Sequence, residues 1–440
     1  MRIRLTKTVS YIRWWFTERF VPWFQGPDPR NHLARNTWHL YQDLIWLGLA
    51  SATSTYINVY AIRLGATDKL IGLRTAIPSL LVVLLRIPAA QLMERTHNRK
   101  KLIVRSLFAG RLFYFLIFLL PWLSMLPVLK HIPPATILVW TVICIGIPSA
   151  LSQAGWDTFF ADIVPPRKRA RVVSTRSTMT NLITLSVVPL FGIWLDWAPF
   201  PVNYQVIFLL AFIGAMLSTW HVNQIKVPES AVSPNKKAAA LNISEIKKIL
   251  FENKEFAALV LGTFIYQWAI SIASPLFTIY YVDYLGASDS WIGYRMTLAS
   301  LVSILAYRVW PRQIELRGNR SILVLAAPMM ALFPLLTGLV PMLLPHMFIV
   351  MIPRFFGAAV MIARYGILLR VCPAERRPTF IAIYAIVVNI AAFIAPLLGV
   401  ELVDYIGIQG VFFVAAALRL AAGLMYLRLP KTRMQQTMSS

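Results

Sequence analysis

Residues Gln91-Leu-Met-Glu-Arg-Thr-His-Asn-Arg-Lys-Lys101 form a short charged break in an otherwise apolar sequence, and the break recurs. In Gln313-Ile-Glu-Leu-Arg-Gly-Asn-Arg320, the residues Glu315, Asn319 and Arg320 follow Glu94, Asn98 and Arg99 at one fixed offset of 221. The approach to each copy repeats as well. Gly65-Ala-Thr-Asp68, Ile71, Gly72, Arg74 and Ser79 answer Gly286-Ala-Ser-Asp289, Ile292, Gly293, Arg295 and Ser300. Chance pairing in an apolar chain accounts poorly for matched Gly, Asp, Arg, Glu and Asn. The pattern reads as an internal duplication.

Around this repeat the composition is that of a membrane protein. Hydrophobic residues make up 58% and charged residues 14% of the 440, against roughly half and a quarter in soluble domains. Apolar runs of about 18 or more residues recur along the chain, which predicts spanning helices. Helices satisfy their own backbone in lipid, and the period-2 signal of a barrel is absent. The expected spans are 38–62, 71–93, 102–124, 135–161, 172–195 and 203–222, then 256–282, 291–309, 321–343, 347–370, 377–402 and 408–428.

The formal charge of +25 would suggest nucleic acid in a soluble protein, but its placement argues for topology instead. Of 43 Lys and Arg, 33 fall in the two termini, in the connections after even-numbered spans or at the span ends that flank them. Only Arg63, Lys69 and Lys130 fall on the opposite side. That asymmetry predicts cytoplasmic termini in a cytoplasmic membrane, with anionic lipid as the partner of the basic surface. The expected organisation is an interfacial segment 1–36, a six-helix half 37–225, a cytoplasmic linker 226–254, a second half 255–430 and a tail 431–440. Tyr11-Ile-Arg-Trp-Trp-Phe16 suits a helix lying in the headgroup layer. In the linker, Asn242-Ile-Ser-Glu245 resembles a capping box and starts a short surface helix.

The duplication continues further on, at an offset of 208. Pro165, Arg169, Asn181 and Asp196 answer Pro373, Arg377, Asn389 and Asp404. Pro189-x-x-Gly192 answers Pro396-x-x-Gly399 one residue out of step. Twelve spans in two six-span halves, with a charged loop after spans 2 and 8, resemble the major facilitator superfamily over about residues 38–430. That family's loop reads G-x-x-x-D-R-x-G-R-[RK]. Here Glu94 stands for the Asp, Arg95 for the Arg, and Arg99 with Lys100 for the basic pair, while Ala90 replaces the leading Gly. The second copy keeps Glu315, Arg317, Gly318 and Arg320, with Leu316 at the first Arg position.

The resemblance implies that such loop charges hold an outward-open arrangement. Glu94, Arg95, Arg99, Glu315, Arg317 and Arg320 are therefore gating candidates, with Asp162 as a partner for Arg95 or Arg99. Plain stop-transfer anchoring is the alternative. The resemblance also implies that spans 1, 4, 7 and 10 line a cavity. Their polar residues are Asp43, Tyr56 and Asn58; Gln153, Trp156 and Asp157; Tyr266, Gln267 and Trp268; and Arg354, Arg364 and Tyr365. Asp157 and Arg364 should lie at similar depth, forming either a fixed ion pair or a state-dependent one. Gly72 and Gly293 permit close helix approach, Pro189, Pro275 and Pro396 should kink their spans, and Asn181 and Asn389 suit interhelical hydrogen bonds.

Enzyme chemistry finds little support. The six histidines, His32, His39, His97, His131, His221 and His346, fall neither in pairs nor at metal-ligand spacing. Cys144 and Cys372 imply no disulfide framework, and the absence of a Walker sequence argues against ATP drive. No cofactor, metal or nucleic acid is expected. The sequence reads as an all-α polytopic transporter, a monomer by resemblance, moving a small solute by alternating access with a coupling proton or ion as a further partner. Arg354 leans this toward an anionic solute, efflux being the other lean, and Asp43 weakens the anionic one. The alternatives are a membrane-embedded lipid-modifying enzyme and a transporter-like scaffold or sensor.

Overall fold

A computed structural model describes residues 32–96, 98–227, 243–373 and 376–428. Residues 1–31 of the expected interfacial segment, the middle of the linker, the tail 431–440 and His97 lie outside the described residues. Among the described residues the chain is helical, without a strand. The first half contains α1 (His32–Thr53), α2 (Ile57–Arg63), α3 (Asp68–Arg95), α4 (Arg99–Phe118), α5 (Leu120–Leu123), α6 (Pro134–Cys144), α7 (Gly146–Ile163), α8 (Pro166–Trp197) and α9 (Val202–Gln224). The linker carries α10 (Ile243–Glu252). The second half contains α11 (Lys254–Ser271), α12 (Ser274–Ile279), a π-helical turn (Tyr280–Tyr284), α13 (Asp289–Arg317), α14 (Asn319–Met329), α15 (Leu332–Leu339), α16 (Leu343–Ile349), α17 (Met351–Val371) and α18 (Arg377–Met425). Within α18 the chain breaks direction at Gly407, where φ is 70°. Seven described stretches are long and apolar enough to cross a bilayer by length and composition alone.

Successive helices run back and forth between two ends. The basic end holds the start of α1, the α3–α4 connection and the end of α9. Asn36 fastens it: its side-chain amide donates to the Lys226 carbonyl at 2.8 Å and its side-chain oxygen accepts from the Lys226 N–H at 3.0 Å. The far end holds the α2–α3 and α12–α13 connections, where the repeat has its local cause. Gly65 and Gly286 take φ of 82° and 65°, a left-handed turn that glycine enters without a Cβ clash. Two residues on, Thr67 accepts from the Leu70 N–H and Ser288 from the Trp291 N–H, capping α3 and α13. Asp68 and Asp289 then put a carboxylate in each first turn, where the helix dipole favours it.

The two spans expected to line a cavity first in each half are both broken. Span 1 turns between α1 and α2, and span 7 restarts as α12 just ahead of Pro275. Broken helices need neighbours close enough to satisfy the freed backbone. The repeated Gly72 and Gly293 permit that approach. A Cβ on Gly293 would sit 2.6 Å from the Tyr56 hydroxyl and 3.2 Å from Pro189 Cα, and one on Gly72 would sit 2.9 Å from Val400. Asn389, expected to bond across helices, instead donates to the Ala385 carbonyl of its own helix at 2.8 Å. That spacing of four residues offers it a nearer acceptor than any neighbouring helix.

The apolar core is divided unequally. At the far end one continuous cluster joins residues of both halves, among them Tyr56, Val188 and Tyr204 with Ile272, Ile292 and Val400. Toward the basic end two separate clusters take over, one from the first half around Leu40, Met93 and Phe159, the other from the second half and linker helix α10 around Phe256, Ala326 and Phe380, and neither joins residues of both halves. The halves are therefore packed together at one end and parted at the other. Gly293→Val should force them apart where they meet, lowering stability by about 1–3 kcal/mol. Thermal unfolding of the purified protein measures this, and an unchanged transition would show that α8 and α13 do not depend on the close approach.

Candidate functional site

The contact between halves is fastened by charge. Arg63 Nη2, at the end of α2, lies 2.8 Å from Asp289 Oδ2, at the start of α13. Tyr204 on α9 donates its hydroxyl to Asp289 Oδ1 at 2.6 Å. Asp196, at the end of α8, accepts from the backbone N–H groups of Asp289 and Ser290 at 2.8 and 2.9 Å, so it serves the exposed donors of the α13 N-terminus. Tyr56 donates to the Val188 carbonyl at 2.7 Å, and Tyr204 stacks on Tyr60 with centroids 4.3 Å apart. Burial pushes the Asp289 carboxyl up from the ordinary range, while Tyr204 and Arg63 pull it back. A cavity of 500 Å³ lies beside this cluster, lined by Arg63, Asp196, Phe200, Asn203 and Asp289 among others. An exposed pair, Lys69 with Glu401 at 3.1 Å, adds a second bridge between halves.

Inside the first half, toward the basic end, the expected cavity residues form a different group. Asp43 is buried and accepts from Ser218 Oγ at 2.6 Å, and Arg176 Nη2 reaches its other oxygen at 3.3 Å. Arg176 also donates to the Leu40 carbonyl at 3.0 Å and lies over the Trp156 ring at 5.3 Å. Trp156, Phe160, Arg176, Ser177 and Thr180 line a 280 Å³ cavity. One turn from Asp43, His39 Nδ1 lies 3.1 Å from His221 Nδ1. This corrects the reading of unpaired histidines. The two are 182 residues apart and meet only because α1 packs on α9. Among the described residues no group of three or more His, Cys, Asp and Glu is placed to hold a metal.

In the second half Tyr266 is buried with Arg364 over its ring at 5.7 Å. Gln267 donates to Ser271 Oγ at 2.9 Å, and Trp268 packs against the far-end core. Tyr365 and Arg354 are exposed. In the first half Gln153 is exposed and Asn58 keeps a buried side-chain oxygen without a partner. The side chains of Asp157 and Glu94 lie outside the described residues, so the expected Asp157–Arg364 pair has one described member. Of the gating candidates, Arg95, Glu315 and Arg317 are exposed at the basic end. Arg320 donates to the Leu427 carbonyl at 2.6 Å. Burial lifts the Asp162 carboxyl above the ordinary range against the pull of Arg99 and Arg169. Sequence reasoning had marked Asp196, Asp289 and their repeat mates without giving them a role. Arg63 and Tyr204 carried no signal beyond being polar at a span end.

The Asp43–Arg176 pair has a testable consequence. Asp43→Asn leaves Arg176 buried without a counter-charge, which should cost about 3 kcal/mol or more. The double change with Arg176→Met should recover part of that loss in thermal unfolding, and a single variant as stable as the wild type would dismiss the pair as a support.

Comparison with known proteins fits this geometry. A family model described as "Major Facilitator Superfamily" matches twice, over residues 44–261 and 259–437. No curated protein matches the sequence. Among solved structures, a bacterial homologue of the iron transporter ferroportin in an inward-facing state is similar at a TM-score of 0.69, with 14% identity over 90% of this chain and 98% of that one. The nucleoside transporter NupG is similar at 0.67, with 10% identity over 89% and 100%. A POT family transporter in complex with 5-aminolevulinic acid is similar at 0.67, with 14% identity over 89% and 95%. At such identities the likeness carries the fold, and the family match covers nearly the whole chain. The chain belongs to the major facilitator superfamily and is a membrane transporter rather than an enzyme.

Proposed function

We propose that this protein is a secondary transporter of the cytoplasmic membrane. Its halves, residues 37–225 and 255–430, each supply six spans and rock about a central gap by alternating access. The termini and the linker face the cytoplasm in this reading, as the lysine and arginine asymmetry predicts. The observation that carries it is the division of the core: one shared cluster at the far end, two separate clusters at the basic end. That arrangement supports a state open to the cytoplasm, with Arg63, Asp289, Asp196 and Tyr204 as the outer lock. Glu94, Arg95, Asp162, Glu315, Arg317 and Arg320 are then the lock of the other state, in which the basic ends close. Asp157 and Arg364, on facing spans, would approach each other in that second state. The solute is anionic in this reading. Asp43, which argued against it, is already held by Arg176 and Ser218.

Breaking the outer lock should favour the outward-open state. With a reporter cysteine at Ser300 in a background lacking Cys144 and Cys372, Arg63→Ala should raise labelling from outside and lower it from inside. The exchange Arg63→Asp with Asp289→Arg should restore the wild-type balance in part. In reconstituted vesicles the same variants should alter solute uptake. Labelling that ignores Arg63, with uptake at the wild-type rate, would contradict the lock; a protein that moves no solute across a broad panel would be a scaffold or sensor.

A further inference from the structure

The second half is unusually one-signed inside. Within its apolar spans lie Arg295, Arg354, Arg364 and Arg419, with Arg308 further along α13, whereas each described Asp and Glu of this half sits near a helix end, near the Gly407 turn or in a connection. An arginine cannot shed its charge, and on insertion scales it costs ~3 kcal/mol near the middle of a span. Each must therefore find a partner or water.

The four arginines solve this differently. Arg419 is buried and donates from Nη1 to the Met330 carbonyl at 3.1 Å and from Nε to the Ala269 carbonyl at 3.3 Å, so helix carbonyls serve it. Arg364 lies over Tyr266 and keeps a buried Nη1 without a hydrogen-bond partner. Arg295 lies over the Tyr281 ring at 4.5 Å and near Trp291 at 5.9 Å, with Nη2 donating to the Tyr281 hydroxyl at 3.3 Å. Its Nε is buried without a partner, as is the nearby Trp291 Nε1. Arg354 is exposed, and the one hydrogen bond described for it is a weak one from Nη2 to the Met296 thioether at 3.8 Å. Met296, which Arg354 reaches, is the residue after Arg295 on α13, so the two guanidinium groups share one stretch of the α13–α17 seam.

The face that carries Arg354 is an open one. Arg354, Met361 and Tyr365 follow each other at helical spacing along α17, all exposed, while Ala358, Ala359 and Ala363 on the other side are buried in the core. Tyr307 on α13 reaches Met361 Sδ at 3.8 Å, so the stripe runs along the seam of α13 and α17. In the first half, Asp43 is already committed to Arg176. Two guanidinium groups with spare donors and, among the described residues, no carboxylate in ion-pair contact make an anion site.

Given the transport reading above, we infer that Arg354, with Arg295 behind it, anchors an oxyanion group, a carboxylate or a phosphate, on the transported solute. Arg354 meets the anion first, and Arg295 and Trp291 supply the donors that the protein leaves unused.

The test is binding to the purified full chain in phosphatidylcholine nanodiscs, with radiolabelled succinate and inorganic phosphate as probes and glucose and choline as comparators. At least one of the two anions should be retained and neither comparator should be. Arg354→Gln should weaken that binding by about tenfold or more, the effect of a lost charge-assisted hydrogen bond. Arg354→Lys should weaken it less, and both variants should elute as the wild type does. Retention of neither anion, or equal affinity in Arg354→Gln, would overturn the assignment. So would phosphatidylglycerol that co-purifies through Arg354 and is displaced by neither probe, which would make this a lipid-headgroup site. Uptake of glucose or choline unaffected by Arg354→Gln would remove the anion and leave the transporter. Anion binding without uptake of any solute would remove the transporter alone.

Discussion

Asp289 opens α13 with its carboxylate held between Arg63 and Tyr204, while the Asp196 carboxylate takes its backbone N–H. The two halves meet through this cluster. Taking the Asp289 carboxylate out of water is costly, and its attraction to the partly exposed guanidinium of Arg63 returns much of that cost without a large surplus. Such a contact is secure while both partners are present and can still be exchanged for hydration when the halves move. Removing Arg63 is a different matter, because the Asp289 carboxylate is then left buried without a counter-charge. A near-balanced, specific contact is what a two-state equilibrium between access states requires, since a small differential interaction is enough to shift it.

The duplication explains why this contact sits where it does. In both halves a left-handed glycine, a Thr or Ser cap and an Asp in the first turn start the second span of the unit, at Gly65 and at Gly286. In both halves an Asp near the end of the fifth span lies by that start. Asp196 bonds the α13 backbone, and Asp404 lies close enough to Asp68 to help burial hold its carboxyl above the ordinary range. The chemistry then diverges. Arg63 reaches the buried Asp289, whereas the bridge on the other side, Lys69 with Glu401, is exposed and contributes little. One fold-level symmetry thus supports one buried lock.

Much of the architecture was legible in the sequence because hydropathy, turn chemistry and repeats are local or periodic signals. Gly72 and Gly293 were readable as close-approach positions because nothing larger fits there. The partners inside the bundle were not readable. His39 with His221, Asp43 with Arg176 and Arg63 with Asp289 are each more than a hundred residues apart, and they meet through the rotation and packing of particular helices. Periodicity gives the face of a helix but not what stands opposite it. Arg176 shows the same limit. Near the start of its expected span, it lies well inside α8 and meets Asp43 of α1. Asn389 fell to a nearer competitor, its own helix carbonyl.

The central claim is that the far-end closure is one of two alternatives. Distances between spin labels test it most directly, with one pair across the basic end at Lys101 and Leu316 and one across the far end at Lys130 and Tyr284. In lipid, the wild type should give two populations whose distances move in opposite senses at the two ends, and Arg63→Ala should enlarge the population that is wide at the far end. A single distance at each end, the same in wild type and Arg63→Ala, would contradict alternating access about this lock.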